Sequence, residues 1–276
     1  MPLVSILICT YNASDSILAT IGSCLAQTYH HIEILIHDDQ SSDDTREKIG
    51  SLTDPRIRII HSGKKLGPYG GLNVLLDHAQ GDYIAIQDHD DLWHPDKLAR
   101  QLEFLEKNPD CVGCGTKTLM RYEGDQKGFE YFLGTRNYYT IHPSLVFRAN
   151  KAFRYATDDV YMQDAMFQKK VLCKGEKRIG NVNETLTLHL IKAGAKNFSY
   201  KRFQYRWSTI KTIFSLHPVR YGVCILGFET IRKIAYPLLQ SIKKPEIIDT
   251  IERLPFTILG KTIETYDMAK KKKMGF

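Results

Sequence analysis

The sequence of 276 residues contains no apolar stretch of the roughly 20 residues that a membrane-spanning helix requires. Its longest apolar candidate, residues 219–239, is interrupted by four charged residues and a proline. The N-terminus also lacks the basic segment and small-residue cleavage site of a secretory signal peptide. These absences predict a cytoplasmic protein, and any contact with a membrane is expected to be peripheral.

Paired cysteines are also scarce. The six cysteines are scattered, and Cys111 with Cys114 is the only pair at C-x-x-C spacing. Because no second pair or histidine cluster completes a zinc site, the thiols are predicted to be reduced and mostly buried. Internal repeats are absent too, and the only low-complexity segment is Lys270–Lys273. The composition is that of an ordinary globular protein.

Positive charge is concentrated at one end of the chain. Residues 192–276 carry 17 Lys and Arg against 6 Asp and Glu, whereas residues 1–191 carry 21 against 25. A basic tail on a mildly acidic body indicates an anionic partner, either lipid headgroups or nucleic acid. For the terminal lysines alone, a solvated chain end is an equally good interpretation.

Buried apolar runs alternate with segments of helical spacing over the first 120 residues. The runs predicted as strands are Leu3–Cys9, Ile32–Ile36, Ile57–Ile60, Tyr83–Gln87 and Cys111–Met120. Helices are predicted between them, starting near residues 14, 41, 72 and 95. This order favours an α/β fold with a Rossmann-like, doubly wound, mostly parallel sheet.

The second half of the chain follows a looser pattern. A strand is predicted over residues 141–147 and a helix over 161–173, and helical runs near 203–215 and 219–239 are aromatic and basic. We therefore predict one catalytic domain over 1–200 and a helical extension over 201–276. Within the domain, residues 1–120 would bind a nucleotide and residues 121–200 an acceptor.

Polar residues follow three of the predicted strands. They are Thr10-Tyr11-Asn12, Asp38-Asp39 and Asp88-His89-Asp90-Asp91. The carboxyl ends of parallel strands share one edge of the sheet, where ligands of such folds bind. Three carboxylates in one short loop repel each other unless a cation lies between them. A divalent metal that carries a diphosphate would explain the loop.

Three stretches carry a resemblance to a known family: VSILICTYN (Val4–Asn12), SCLAQTY (Ser23–Tyr29) and EILIHDDQSSDDT (Glu33–Thr45). Asn73–Gly81, Asp88–Asp91 and Pro95–Leu98 continue it in order. Together they closely resemble the family-2 glycosyltransferases. The resemblance is strong over residues 1–120, moderate over 140–175 and absent beyond about 205.

That resemblance implies a GT-A fold and inverting transfer of a sugar from a nucleotide-diphosphate donor. The donor-nucleotide residues that it implies are Thr10, Tyr11, Asn12, Asp39, Asn73 and Asp88. Tyr11 would stack on the base, Asp39 would accept from it, and Asp90 would bind Mn²⁺ or Mg²⁺. Tyr11 as a packing residue is the plainer alternative. UDP is the expected nucleotide and dTDP the competitor, since uracil and thymine present the same imide edge.

The catalytic base is expected from a second acidic motif. The segment MQDAMFQKK (Met162–Lys170) matches the family's position, so Asp164 would deprotonate the acceptor hydroxyl. The family's preceding Glu is Gln163 here, which leaves Asp164 as the only carboxylate of the pair. Asp158 and Asp159 are the alternatives.

Further assignments remain open at this point. His189 is either a metal ligand or a structural histidine, with Lys192 at the family's usual position. Asp91, His142 and Trp93 are candidates for contact with the acceptor or the donor sugar, although a helix N-cap or a loop-structuring role suits Asp91 better than a role as second metal ligand. Leu72 replaces an arginine of many relatives, so the diphosphate contact would pass to Lys64, Lys65 or the glycine-rich backbone.

The combined expectation is a metal-dependent glycosyltransferase on the cytoplasmic face of a membrane. It would pass a sugar to a saccharide or a lipid-linked acceptor in surface polysaccharide or glycoconjugate synthesis. Residues 203–276 would bind the membrane surface, or pack on the domain or on a second subunit. A nucleotidyltransferase-like enzyme is disfavoured because Thr10-Tyr11-Asn12 is not a glycine-rich basic loop. A non-catalytic sugar- or nucleic-acid-binding protein is disfavoured because the acidic positions are intact, and no nucleic acid partner is expected.

Overall fold

The computed structural model describes residues 1–122, 127–131, 136–137, 140–157, 162–174, 178–191 and 265–267, and the single residues 210 and 226. Apart from those two residues, the helical runs predicted at 203–215 and 219–239 lie outside the described part of the chain. Asp158 and Asp159 lie outside it as well. None of the described helices is long and apolar enough to cross a bilayer.

Four parallel strands form the centre of the sheet, in the order β3-β2-β1-β4. They are β1 (Val4–Thr10), β2 (Ile32–Asp38), β3 (Ile57–Ile59) and β4 (Tyr83–Asp88). Both faces of β1 and β2 are almost wholly buried, as expected for strands of continuous apolar sequence. Cys9 of β1 lies opposite Asp88 of β4, so the polar residues after β1 and β4 share one edge. The predicted parallel sheet is confirmed.

The remaining strands extend the sheet beyond β4. Strand β9 (Val146–Arg148) runs antiparallel to β4 and to β6 (Cys111–Tyr122). The long strand β10 (Arg178–Ile191) pairs with β6 in parallel and with β5 (Leu92–Trp93) in antiparallel orientation. Three short strands complete the sheet: β7 (Lys127–Tyr131), β8 (Arg136–Asn137) and β11 (Thr265–Asp267). The pairing of β10 with β5 brings the end of β10 beside the acidic loop.

Helices cover the two faces of the sheet. They are α1 (Ile17–Leu25), α2 (Thr45–Gly50), α3 (Gly67–His78) and α4 (Lys97–Lys107). Successive residues of a strand point to opposite faces, and Ile6 and Leu7 accordingly belong to two separate apolar clusters. The core is therefore layered on both sides of β1, and the polar site is confined to the edge.

The glycine-rich segment is helical, contrary to the predicted loop. Helix α3 starts at Gly67, five residues before the predicted start, with a proline in its first turn. A Cβ at Gly71 would lie 2.4 Å from Sγ of Cys9 and 2.8 Å from Nδ1 of His37. The glycine therefore lets α3 approach β1 and β2 closely.

The second half of the chain differs from the prediction in three details. The strand expected over 141–147 is a 3₁₀ turn at His142–Ser144 followed by β9, because a proline cannot take part in a central ladder. The helix expected over 161–173 begins as α5 (Gln163–Met166) and continues as a π-helix over Phe167–Leu172. Strand β10 was not predicted, because its N-terminal half is polar.

Candidate active site

The acidic loop after β4 is held by hydrogen bonds from α1 and from its own strand. The carbonyl of His89 accepts from the Ser16 hydroxyl at 2.8 Å and from the Thr20 hydroxyl at 3.0 Å. The side-chain amide of Gln87 donates to the carbonyl of Asp91 at 2.8 Å. The loop backbone is therefore fixed, and the carboxylates that it carries have defined positions.

Asp91 is 1% exposed and is bound by the end of β10. Its carboxylate accepts from Nδ1 of His189 at 2.8 Å and from the backbone N–H of Leu190 at 2.8 Å. Burial raises the pKa of Asp91 to about 6, even though His189 opposes the shift. Burial alone would lower the pKa of His189, but Asp91 and the neighbouring carboxylates outweigh it and raise the pKa to about 9. The pair is therefore ionised at neutral pH.

Asp88 pairs with a different histidine, His142. Its Oδ1 lies 3.4 Å from Nδ1 of His142, and Nε2 of His142 lies 2.9 Å from the Tyr155 hydroxyl. Burial opposes ionisation of both groups, yet their mutual interaction lowers the pKa of Asp88 and raises that of His142. His142 therefore contacts the acidic loop directly and connects it to the segment around Tyr155.

Asp88, Asp91 and His189 are arranged to hold a metal ion. One ligand atom from each of them lies within 4.8 Å of the other two. Two carboxylates and one imidazole are ligands that suit a divalent cation. Asp90, which the resemblance predicted as the ligand, is not one of these three, although its charge acts on both Asp91 and His189. Asp91 does not cap a helix, since the residue preceding α4 is Asp96.

At the other end of the edge, Tyr11 is the exposed aromatic residue of the predicted nucleotide site. Its side chain is 41% exposed, and Nζ of Lys65 lies 3.4 Å from the centre of its ring. Asp39 is buried beside it and accepts from the backbone N–H groups of Leu66 at 2.6 Å and Gly67 at 3.0 Å. Both of its oxygens are thus hydrogen-bonded, and each keeps a second lone pair for a ligand.

Two of the other predicted nucleotide residues, Asn12 and Asn73, have structural partners, and the Thr10 hydroxyl has none in the described part of the chain. Asn12 has φ of 49° and its Oδ1 accepts from the N–H of Ser42 at 2.8 Å. The side-chain amide of Asn73 makes two 2.9 Å hydrogen bonds with the backbone of Tyr155. The hydroxyl of Thr10 is buried and has no hydrogen-bond partner among the described residues. These residues shape the edge of the sheet around Tyr11 and Asp39.

Asp164 lies in the first turn of α5, after Met162, whose φ is 58°. Its carboxylate is half-buried and close enough to His142 and Tyr155 to contribute to the raised pKa of each. The neighbouring Gln163 is buried and donates to the carbonyl of Ala156 at 2.8 Å. An ionised glutamate could not donate this bond, which explains why an amide is accommodated there.

Trp93 lies beneath the site and is 2% exposed. Its indole N–H donates to the carbonyl of Pro143 at 2.9 Å, and Nζ of Lys97 lies 3.8 Å from the centre of its ring system. The predicted contact with a sugar needs correction, because a ring buried in this way has no face left for a ligand. Trp93 instead supports the turn that carries His142.

Comparison with known proteins decides the family. The family described as Glycosyl transferase family 2 matches residues 5–173. The chain belongs to this family. Its members are glycosyltransferases, so the protein is an enzyme of that class.

Relatives and solved structures agree with this assignment. The Escherichia coli protein UDP-Glc:alpha-D-GlcNAc-diphosphoundecaprenol beta-1,3-glucosyltransferase WfaP is 46% identical over 106 residues, which are 38% of this chain and 42% of that protein. Succinoglycan biosynthesis protein ExoO of Rhizobium meliloti is 37% identical over 103 residues, 37% of this chain and 30% of that protein. The matched segment thus spans less than half of either relative. The S. aureus TarS 1-349 structure in complex with UDP-GlcNAc has a TM-score of 0.58 at 16% identity, and covers 72% of this chain and 64% of that chain, which confirms the GT-A fold.

Two contacts of this family-2 enzyme were not predicted from its sequence. Tyr155 joins His142 to Asn73, and nothing in its surroundings in the sequence distinguishes it from a core aromatic. The position of Lys65 over Tyr11 also depends on the loop that Asp39 anchors. The absence of the relatives' arginine at Leu72 was the one sequence signal that pointed toward Lys65.

Proposed function

We propose that the protein is a metal-dependent inverting glycosyltransferase that uses a UDP-sugar as donor. Its acceptor is a saccharide or a lipid-linked saccharide in surface polysaccharide or glycoconjugate synthesis. The observation that carries the proposal is the convergence of Asp88, Asp91 and His189 on the same edge of the sheet as Tyr11 and Asp39. That edge is where a family-2 enzyme needs both a nucleotide and a divalent cation.

The nucleotide end supports a pyrimidine nucleotide. Tyr11 offers an exposed ring for stacking, and Asp39 retains acceptor capacity for an imide N–H. The name of WfaP specifies UDP-Glc, and the TarS structure contains UDP-GlcNAc. Both favour UDP over dTDP, whose thymine would present the same imide edge.

The metal end supports Mn²⁺ in preference to Mg²⁺. Asp88 and Asp91 supply oxygen ligands, and His189 supplies one nitrogen, which Mg²⁺ accepts less readily. His189 ligates only as a neutral ring, so metal binding releases its proton. The metal, when bound, would neutralise charge on the departing diphosphate. The chain's own contribution is to hold the two carboxylates in place with Leu190 and His142.

The chemical step requires a base for the acceptor hydroxyl. Asp164 is the described carboxylate that matches the family's base motif and lies close enough to His142 and Tyr155 to act on both. It would take the hydroxyl proton while the acceptor oxygen attacks the anomeric carbon. The bond from that carbon to the diphosphate oxygen breaks as the new bond forms on the opposite face, so the diphosphate leaves with the electron pair and the anomeric configuration is inverted.

Thermal unfolding with a panel of nucleotides tests the donor and the metal together. UDP and a UDP-sugar should protect the protein in the presence of Mn²⁺, by about 2.7 kcal/mol at a concentration 100-fold above Kd. EDTA should reduce that protection, and dTDP and GDP should protect less than UDP. Equal protection by all nucleotides, or protection by UDP that EDTA leaves unchanged, would contradict the proposal.

The location of the reaction is part of the same proposal. The name of WfaP specifies a diphosphoundecaprenol acceptor, which is a membrane lipid. We therefore expect the enzyme to work on the cytoplasmic face of a membrane, with the basic and aromatic segment 203–276 at the lipid surface except for β11, which pairs with β7. Flotation with anionic liposomes, compared with a chain that ends at residue 202, measures this contact. Identical partitioning of the two chains would exclude a membrane role for the tail.

A further inference from the structure

We propose that Lys65 is a donor-site residue that exchanges between two partners: the ring of Tyr11 when the site is empty, and the donor diphosphate when a base stacks on that ring. This inference rests on the proposed function, because it assumes a nucleotide at Tyr11. It assigns the diphosphate contact to a single side chain.

The position of Lys65 is the first argument. Its Nζ lies 3.4 Å from the centre of the Tyr11 ring, which is a close cation–π contact on an exposed aromatic residue. The next residue, Leu66, donates its backbone N–H to Asp39 at 2.6 Å. The ammonium of Lys65 therefore covers the Tyr11 ring, and the backbone next to Lys65 is tied to Asp39. A base that stacked on the covered face of Tyr11 and bonded to Asp39 would displace the ammonium.

The loop around Lys65 allows the side chain to move while its backbone stays in place. Asp39 holds the N–H groups of Leu66 and Gly67, and the Ser62 hydroxyl donates to the carbonyl of Lys64 at 2.7 Å. The backbone is thus bonded on both sides of Lys65. Because lysine is a compact charge on a flexible four-carbon stem, it can change partner without a change in the loop.

Charge explains where the ammonium would go. Tyr11 lies two residues beyond Cys9, which is opposite Asp88 in the sheet, so a diphosphate between base and metal would pass close to this ring. Two other cations near the edge are engaged: Arg46 pairs with Asp38 at 2.6 Å, and Lys48 donates to the carbonyl of Ser14 at 2.9 Å. A phosphate oxygen attracts an ammonium more strongly than an aromatic face does. Leu72, at the position of the relatives' arginine, cannot supply this contact.

Calorimetric titration with uridine and with UDP, in Mn²⁺ buffer, separates the two partners of Lys65. In K65M the Tyr11 face is free, so we expect uridine to bind roughly two- to fivefold more tightly than to the wild type. We also expect the affinity ratio of UDP to uridine to fall about tenfold or more, since a charge-assisted phosphate contact is lost. K65R retains a cation and should keep both wild-type values. K64M is the matched control, because Lys64 is the adjacent exposed lysine.

Either of two results would contradict the proposal that Lys65 exchanges between Tyr11 and the diphosphate. One is K65M binding uridine no more tightly than the wild type, and the other is an unchanged ratio of UDP to uridine. Both would leave the proposed function standing, provided that wild-type protein binds UDP. If wild-type protein binds neither ligand, the nucleotide site itself is wrong, and the proposed function and the role of Lys65 fail together.

Discussion

The two ends of the candidate site neutralise their carboxylates in different ways. At the nucleotide end, Asp39 is bound by two backbone N–H groups, and Asp38 by the side chains of Ser41 and Arg46. At the metal end, Asp88 and Asp91 are each paired with a histidine. The partners at the nucleotide end are permanent charges or dipoles, whereas the histidines at the metal end can lose a proton.

This difference distinguishes carboxylates that hold loops in place, at the nucleotide end, from carboxylates that can bind a cation, at the metal end. Burial opposes ionisation of Asp38, but the hydrogen bonds from Ser41 and Arg46 outweigh it and lower the pKa of that carboxyl. These bonds and the two backbone N–H groups on Asp39 tie the loops after β2 and β3 in place. An imidazolium serves as a temporary counterion that a divalent cation can replace. We infer that the nucleotide end is rigid before ligand arrives, and that the acidic loop is charged and ready for metal. The predictions below test this contrast, in order of expected effect.

The largest effect is expected at the base. Asp164→Asn should lower kcat by roughly 10²–10⁴ because the acceptor hydroxyl loses its proton acceptor. UDP affinity should stay near the wild-type value, since Asp164 belongs to neither end of the donor site. Asp158→Asn and Asp159→Asn are the comparisons. If one of them silences transfer and Asp164→Asn does not, the base is misassigned.

Substitution of two adjacent carboxylates, Asp91 and Asp90, tests which of them binds the metal. Asp91→Asn should weaken Mn²⁺ binding by roughly 10- to 100-fold, because it removes a ligand candidate and the partner of His189. Asp90→Asn should have the smaller effect, since Asp90 is outside the group of three converging residues. Manganese titration followed by electron paramagnetic resonance measures both. A larger loss in the Asp90 variant would restore the assignment made from the family resemblance.

Beneath the metal end, the ring of Trp93 is in contact with a buried titratable group, the ammonium of Lys97. Lys97 is fully buried, its ammonium has no hydrogen-bond acceptor among the described residues, and burial lowers its pKa to about 7 from an ordinary 10.5. Between these two values Lys97 binds a proton in the unfolded chain but not in the folded chain, so the contribution of Lys97 to the free energy of unfolding should rise with pH across that window. Lys97→Met should remove this slope and add on the order of 1–4 kcal/mol at pH 7.

Urea unfolding at several pH values between 7 and 10 measures this prediction. Lys107→Met is the control, since that lysine is exposed at the end of the same helix. If the free energy of unfolding changes equally with pH in the Lys97 variant and in the wild type, Lys97 stays protonated in the folded protein and is stabilised by the Trp93 ring.

The smallest effect is expected at the nucleotide end. Asp39→Asn leaves one of two N–H groups without a good acceptor and should lower the free energy of unfolding by roughly 1–3 kcal/mol. UDP affinity should fall as well, because the loop that carries Lys65 loses its anchor. Asp77→Asn, which removes an exposed partner of Arg154, is the control for stability. A stable variant with wild-type UDP affinity would show that Asp39 is neither anchor nor ligand.

The sequence predicted the nucleotide half of the fold more completely than the acceptor half. Strands β1, β2 and β4 are continuous apolar runs with polar ends, and such runs leave few alternatives. Strand β10 is polar over its first residues and carries bulges, so its pattern has no clear period. Helix α3 was shortened in the prediction because glycines were taken as a loop, whereas Gly71 serves close packing.

Within the site, the residues were predicted better than their partners. Asp39 and Asp88 were named from strand ends and from the resemblance, and the structure places both at the carboxyl edge of the sheet. The bond between Asp91 and His189 joins residues far apart in the chain, and it exists because β10 pairs with β5. Local patterns carry no information about such a pairing.

By itself, the sequence determined the parallel core, the acidic edge and the family, because buried strands and short loops are encoded by neighbouring residues. Tertiary structure alone decided which carboxylates receive histidines, which lysine covers Tyr11, and why Trp93 is buried. Those contacts depend on strands and turns that meet only after the chain has folded. Burial, which cannot be read from residue type, then raises the pKa of Asp91 and lowers that of Lys97.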